Sequence, residues 1–224
     1  MVDENGEPVA SPLGAFTLGI VDQAANNVGW TYSVNDSALD FLAQGETRIQ
    51  VYTITINDGH TGGNVTQTVT LTITGTNDAP VLTVDQVGGV TEDAANPTLT
   101  DSGVLSFTDV DVNDAHIVSK SYNSDASWSG GSLTAGEIAT LIAGFTVDSN
   151  SWDYSLANAA VQFLGAGETI TLSFDVTVTD DSGAVNNSDT QTVTLTITGT
   201  NDGPDIRVDA GDSFASGDER RTFD

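Results

Sequence analysis

Apolar and polar residues alternate along much of this chain with a period of two. Val69, Leu71 and Ile73 are interleaved with Thr68, Thr70, Thr72 and Thr74, and Ile170, Leu172, Phe174, Val176 and Val178 with polar partners. That period sends every second side chain to one face, the pattern of an antiparallel strand buried on one side. The abundant Thr and Val suit a pleated surface. Turn signals at Asn57-Asp58-Gly59, Asp101-Ser102-Gly103 and Asp181-Ser182-Gly183 fall between such runs, at the spacing of a sandwich. The pattern predicts an all-β fold of antiparallel β-sandwich modules, about 100 to 125 residues each. It also predicts one short helix. Thr134-Ala-Gly-Glu137 has the form of a capping box ahead of Ile138, Leu141 and Ile142, and one or two turns should follow. The alternation slips once, where Ile49 and Val51 fall on the face opposite Tyr52, Ile54 and Ile56.

The alternating runs occur twice. Thr66 to Asp78 recurs unchanged as Thr190 to Asp202, and each copy is followed by a proline, Pro80 or Pro204. Trp30-Thr-Tyr32 matches Trp152-Asp-Tyr154, Phe41-Leu42 matches Phe163-Leu164, and Gly45-Glu46-Thr47 matches Gly167-Glu168-Thr169. The loop Asp58 to Val65 is two residues shorter than its partner, a change that a surface loop tolerates. The period is a domain's length, longer than that of a solenoid repeat, so the chain reads as an array of modules. Upstream of Phe16 nothing corresponds to the stretch Val81 to Leu141. The expected division is therefore 1–80, the C-terminal part of a first repeat; 81–204, a complete repeat; and 205–224, the start of a further repeat or a disordered tail. The whole reads as a stretch of a longer protein.

Charge narrows the partners. Thirty-two Asp and Glu against five Lys and Arg give a formal charge of −27, which disfavours nucleic acid and anionic membrane surfaces and favours cations. There is no cysteine to form a disulfide, no leader pattern opens the chain, and no run of 18 apolar residues occurs.

The acidic residues are placed at strand ends. Asp109-Val-Asp111 follows the apolar run Val104 to Phe107, Glu92-Asp93 opens the complete repeat, Glu168 precedes a long strand and Asp180 ends it. Hard oxygen ligands gathered from several strand ends, six to eight per ion, are what calcium requires. Asn77-Asp78-Ala-Pro80 and Asn201-Asp202-Gly-Pro204 lie at the repeat junctions; Pro makes each short and stiff, and a simple turn explains them equally well. A helix-loop-helix calcium site is excluded, because Asp114 stands where that loop needs Gly and Lys120 where it needs the bidentate Glu.

Thr91-Glu-Asp-Ala, Leu99-Thr-Asp-Ser-Gly-Val-Leu-Ser-Phe-Thr-Asp-Val-Asp111, Trp152-Asp-Tyr-Ser-Leu, Val161-Gln-Phe-Leu-Gly-Ala-Gly-Glu168 and Val193-Thr-Leu-Thr-Ile-Thr-Gly-Thr-Asn-Asp202 together resemble the VCBS repeat of large bacterial surface and RTX-type adhesins. The resemblance covers 81–204 and most of 16–80. That family is similar to cadherin domains, and the resemblance implies tandem cadherin-like, immunoglobulin-like β-sandwich modules with calcium between them. Glu92 then stands for the first-strand Glu, Glu168 for the Glu of the Leu-Asp-Arg-Glu stretch, Asp180 for the later Asp, Asp109 and Asp111 for the Asp-x-Asp, and Asn77-Asp78 for the linker. A first junction site would draw on Glu46, Asn77, Asp78, Asp109, Asp111 and Asp180, and a next one on Glu92, Glu168, Asn201 and Asp202. The sequence departs from the cadherin pattern where Gly165 and Ala166 replace its Asp-Arg pair.

Catalysis finds little footing. His60 and His116 lie near acidic turns, yet there is no Gly-x-Ser-x-Gly, no cysteine nucleophile and no phosphate loop. Trp30 and Trp152, matched in the repeat, are expected in the core, and Trp128 is the one aromatic expected to be exposed as a sugar platform. The expectation is a non-enzymatic, calcium-stiffened extension module of a secreted or cell-surface bacterial adhesin, supporting cell adhesion and biofilm formation. Its partners would be neighbouring repeats, with host-cell or biofilm glycans or proteins reached through other domains, and without membrane insertion by this segment. The alternative is a carbohydrate- or ligand-binding repeat region of a secreted RTX-type toxin or glycan-binding protein.

Overall fold

The structure is a computed structural model that describes residues 12–93, 95 and 97–203. Pro204 and the stretch 205–224, where a further repeat or a tail was expected, lie outside the described residues. The described residues form strands in several sheets, with one α-helix among them.

In the second copy the strands are β5 (Val81–Val84), β6 (Val87–Thr91), β7 (Thr98–Thr108), β8 (His116–Tyr122), β9 (Ser127–Trp128), β10 (Phe145–Val147), β11 (Ser151–Ala157), β12 (Thr169–Asp180) and β13 (Ser188–Thr198). The first copy holds β1 (Ala15–Asp22), β2 (Asn27–Ser33), β3 (Thr47–Asn57) and β4 (Asn64–Thr74).

Two sheets face each other in the second copy. One has the order β10-β11-β7-β5, the other β6-β13-β12-β8 with β9 also on β12. All pairings are antiparallel except β6 with β13, which run parallel. The chain therefore changes sheets between β5 and β6, so its first strand edges both layers. The period-2 residues of β12, Ile170, Leu172, Phe174, Val176 and Val178, are buried with Val193, Leu195 and Ile197 of β13 against Leu105, Phe145, Trp152 and Tyr154 of the facing sheet. Helix α1 (Ala135–Ala143) adds Leu141 to this core. Its N-terminus carries both halves of the capping box: Glu137 N donates to Thr134 Oγ1 (3.3 Å) and Thr134 N to Glu137 Oε2 (2.6 Å).

Asp101-Ser102-Gly103 is not a turn. Strand β7 runs straight through it, with Gly103 opposite Trp152. The glycine is needed because a Cβ there, or at Gly88, would collide with the Trp152 indole. Its role is close packing rather than a change of direction.

The first copy repeats half of this arrangement. Among the described residues β1 pairs only with β2, and β3 only with β4. The register is conserved: Thr47 opposes Thr74 as Thr169 opposes Thr198, and Phe16 opposes Tyr32 as Phe145 opposes Tyr154. The aromatic stack between layers is conserved too, with Phe16 and Tyr52 ring centroids 4.3 Å apart and Phe145 and Phe174 4.2 Å apart. Conserved register disposes of the phase slip. The strand does not shift; instead Arg48 and Gln50 occupy the positions that Ile170 and Leu172 hold in β12. Gln50 is buried, accepts from Leu13 N (3.1 Å) and donates to Leu13 O (3.0 Å) and Tyr32 Oη (3.1 Å). These bonds offset the cost of taking an amide out of water.

Trp30 departs from expectation. Its counterpart Trp152 is fully buried, whereas Trp30 is 44% exposed. The reason is the absence, among the described residues, of strands in the first copy that correspond to β6 and β7, which cover Trp152.

Candidate metal centre

The two copies meet where β4 leaves the first sheet and the short stretch Gly75 to Pro80 leads into β5. This stretch is tied on both sides. Gly75 N donates to Glu46 O (2.8 Å) and Gly45 N to Gly75 O (3.1 Å). Asp78 N donates to Asp111 Oδ2 (2.8 Å), Asn77 Nδ2 to Asp180 Oδ2 (3.2 Å), and Asn186 Nδ2 to Asn77 O (2.9 Å). Asn113 Nδ2 reaches Glu46 Oε1 (2.9 Å) across the same gap.

Beneath it, the loop after β7 and the end of β12 converge. Asp109, Asp114 and Asp180 each bring a carboxylate oxygen within 4.8 Å of the others. Asp109 Oδ1 accepts from Asp111 N (3.0 Å), and its Oδ2 lies 2.8 Å from His116 Nε2. Asp180 is bonded by Ser182 through N (2.9 Å) and Oγ (2.5 Å). Apart from His116, no basic side chain forms an ion pair with these carboxylates among the described residues.

Crowding buried and half-buried carboxylates in this way is expensive. Burial, and then the neighbouring carboxylates, push the Asp78 and Asp114 carboxyls above their usual range, and burial does the same at Asp111 despite the opposing hydrogen bond from Asp78 N. At Asp180 burial also pushes upward, but the hydrogen bonds from Ser182 and Asn77 and the nearby His116 win, and its carboxyl lies below its usual range.

Four buried side-chain polar atoms lack a hydrogen-bond partner among the described residues. Three of them are here: Asn77 Oδ1, Asp111 Oδ1 and Asp114 Oδ2. An unpartnered buried acceptor costs about 1–3 kcal/mol, and open oxygens on residues around the Asp109, Asp114 and Asp180 group fit a hard divalent cation. The donor set is carboxylate and carboxamide oxygen throughout, which suits calcium and not the softer metals.

Of the residues expected at this junction, Glu46, Asn77, Asp78, Asp109, Asp111 and Asp180 are gathered here. Glu92, Glu168, Asn201 and Asp202 are at the other end. Strand β12 separates Glu168 from Asp180 by twelve residues, roughly 36–40 Å. At that far end Glu92 accepts from Thr200 N (2.8 Å), Thr200 Oγ1 (3.0 Å) and Gln162, while Glu168 accepts from Gly165 N (3.0 Å) and Trp128 Nε1 (3.1 Å). Asn201 Nδ2 donates to Asp202 O (3.1 Å). Asp114, Asn113, Asp36 and Asp40 were not expected at the site. Asp36 and Asp40 add their negative charge at Asp78, and the run Asp109-Val-Asp-Val-Asn-Asp114 held the signal for the other two.

Compared with models of known protein families and with curated proteins, the chain gives no match. Among the described residues no helix is long and apolar enough to cross a membrane.

Proposed function

We propose that this chain is part of a tandem array of cadherin-like β-sandwich modules of the VCBS type, stiffened by calcium at the module junctions. In this reading it is a non-catalytic extension segment of a secreted or cell-surface bacterial adhesin, supporting adhesion and biofilm formation. One observation carries the proposal: carboxylate oxygens of Asp109, Asp114 and Asp180 lie within 4.8 Å of one another at the place where the copies join, and the linker residue Asn77 and the neighbouring Asp111 and Asp114 each keep a buried oxygen with no partner among the described residues. Asp109, Asp111, Asp114, Asp180 and Asn77 would hold the ion, with Glu46 at the rim. Bound there, calcium supplies positive charge to oxygens that otherwise repel one another. The residues themselves fix the linker, since Asp111 and Asp180 already accept from Asp78 and Asn77.

The glycan-binding alternative relied on an open Trp128. That ring is half-buried, packs edge-on against Phe163 (centroids 4.9 Å) and has its indole N–H committed to Glu168, so it offers no free platform. The test is small-angle scattering of the chain in calcium and in chelator. A longer maximum dimension in calcium supports the proposal; identical profiles, with no calcium bound by calorimetric titration, refute it.

A further inference from the structure

The chain enters and leaves the second copy at opposite ends. It comes in at Val81, where Asp111 and Asp189 accept from Asp78 N and Leu82 N (2.8 Å each), and it goes out past Thr198 toward Thr200. Ser188 pairs with Thr179 and Thr198 with Thr169, so β13 runs from the entry end of the copy to its exit end. Strand β6 lies beside it in parallel, with Val87 opposite Thr194 and Thr91 opposite Thr198. An early strand and the last strand of the copy are thus bonded to each other and point the same way.

A buried carboxylate closes this ladder at the exit. Thr194 N donates to Gln86 O and Glu92 N to Thr198 O (2.8 Å each). Beyond Thr198 the backbone ladder gives way to a side chain: Glu92 Oε2 accepts from Thr200 N (2.8 Å) and Thr200 Oγ1 (3.0 Å), while Oε1 accepts from Gln162 Nε2. Glu92 is 1% exposed. Both of its oxygens are committed to donors within the module, so the side chain fastens the exit linker to the end of β6. Hydrogen bonds to an ionised acceptor are roughly twice as strong as neutral ones.

Tension applied through the two linkers pulls β6 back toward the entry and β13 forward toward the exit. Parallel strands drawn past each other along their length are loaded in shear, and their rungs must break together rather than one after another. Ahead of β6, β5 is held to β7 over Val81–Val84 alone. Strand β13, in contrast, is held to β12 along its whole length. The β6–β13 patch is therefore the element that sets the resistance.

We infer that the second copy is built to bear tension, with β6, β13 and the bonds between Glu92 and Thr200 as its clamp. The inference rests on the extension-segment reading for the load that the chain would meet, while the clamp itself needs no ion.

The experiment is single-molecule pulling of the whole chain at constant force, in calcium and in chelator. The chain is held by cysteines added at its two ends, since its own sequence has none. One step should release residues 81–200, a contour gain of roughly 350–400 Å at ~3.3–3.6 Å per residue less the folded length. Glu92→Ala should pass that step about tenfold faster than the parent chain at the same force, or more. Thr200→Val, which loses only the hydroxyl bond, should pass it severalfold faster. Leu141→Val trims the core on helix α1, away from the line of tension, and should change the rate by less than about twofold. All three results should hold in chelator. Unchanged rates for Glu92→Ala and Thr200→Val would overturn the inference, as would a Leu141→Val chain that speeds up as much as they do. A parent chain whose step vanished in chelator would overturn it too, because the resistance would then belong to the ion. A step intact in chelator, together with scattering profiles that calcium leaves unchanged, would support the clamp while refuting the calcium junction.

Discussion

Ile73 and Ile197 are the same residue of the same repeat, in strands of identical local sequence and with the same cross-strand register, yet one is half-buried and the other fully buried. Trp30 and Trp152 differ in the same sense, at 44% and 0% exposure. Strand formation and register thus follow from the alternating residues and the hairpin alone. Burial follows from what lies opposite. In the second copy β5 to β8 complete both sheets, and the face the pattern marks as apolar becomes a core. In the first copy the identical face stays half-buried among the described residues. The same stretch of sequence should therefore differ severalfold in its contribution to stability between the copies.

The largest break in that comparison is made at the tryptophans. Trp152→Ala removes a fully buried ring, its contacts with Phe145 and Gly103, and its bond to Asp85 O. The expected cost is about 3–5 kcal/mol. Trp30→Ala should cost under ~1 kcal/mol, in the range of partly exposed substitutions. Denaturant titration followed by exchange of the β12 and β3 amides separates the two, and equal losses would contradict the assignment of burial to the facing strands.

Calcium comes next. If the junction binds with a dissociation constant of about 0.1 mM, then 10 mM calcium stabilises by about 2.7 kcal/mol. Differential scanning calorimetry with and without chelator measures it. The effect should appear in the second copy and the linker, which supply the ligands, and leave the β1–β2 hairpin unchanged.

Asp111→Asn together with Asp114→Asn should reverse sign with conditions. In chelator the variant should melt higher than the parent chain, because two repelling carboxylates are gone; in calcium it should lose the calcium-dependent rise. A pH series checks the cause. The Asp78, Asp111 and Asp114 carboxyls lie above their usual range in the folded chain, so the folded state holds protons more tightly than the unfolded. Their contribution is most favourable at low pH and declines as pH rises from the ordinary carboxylate range through the raised values. Asp180, shifted the other way, contributes stability that is lost as pH falls. The variant should flatten the decline in chelator, seen as a smaller drop in melting temperature between acid and neutral pH.

What the sequence conveyed and what it concealed divide along the same line between local and distant causes. The capping box at Thr134 and Glu137 is a matter of four adjacent residues, and the strand pattern of β12 and β13 is written in their own side chains. Gly103 misled because its glycine answers to Trp152, some fifty residues away, and Asp-Ser-Gly is otherwise good turn chemistry. Gln50 looked like a slip because its inward amide is satisfied by Leu13 and Tyr32, which no periodicity reveals. The junction acids could be gathered by their position at strand ends. Asp114 lies in the acidic run that starts at Asp109, but its place beside Asp180 depends on how the loop after β7 folds back toward β12.

The smallest effect tests the comparison at a single hydroxyl. Tyr32 and Tyr154 are the same repeat position, and each stands opposite a phenylalanine of the paired strand, Phe16 or Phe145. Tyr32 Oη donates to Leu13 O and accepts from Gln50 Nε2, because the first copy has a glutamine on the inner face of β3. In the second copy Leu172 stands where the first has Gln50, and Tyr154 Oη is buried without a partner among the described residues, with burial pushing the phenol's ionisation well above its usual range. Removing a bonded hydroxyl and removing an orphaned one should have opposite signs. Tyr32→Phe should cost about 1 kcal/mol, and Tyr154→Phe should be neutral or stabilise by up to about 1 kcal/mol. Paired urea titrations at one calcium concentration read this directly. A loss at Tyr154 as large as at Tyr32 would mean that a bound water satisfies the second hydroxyl, making the two positions alike in energy despite their different neighbours.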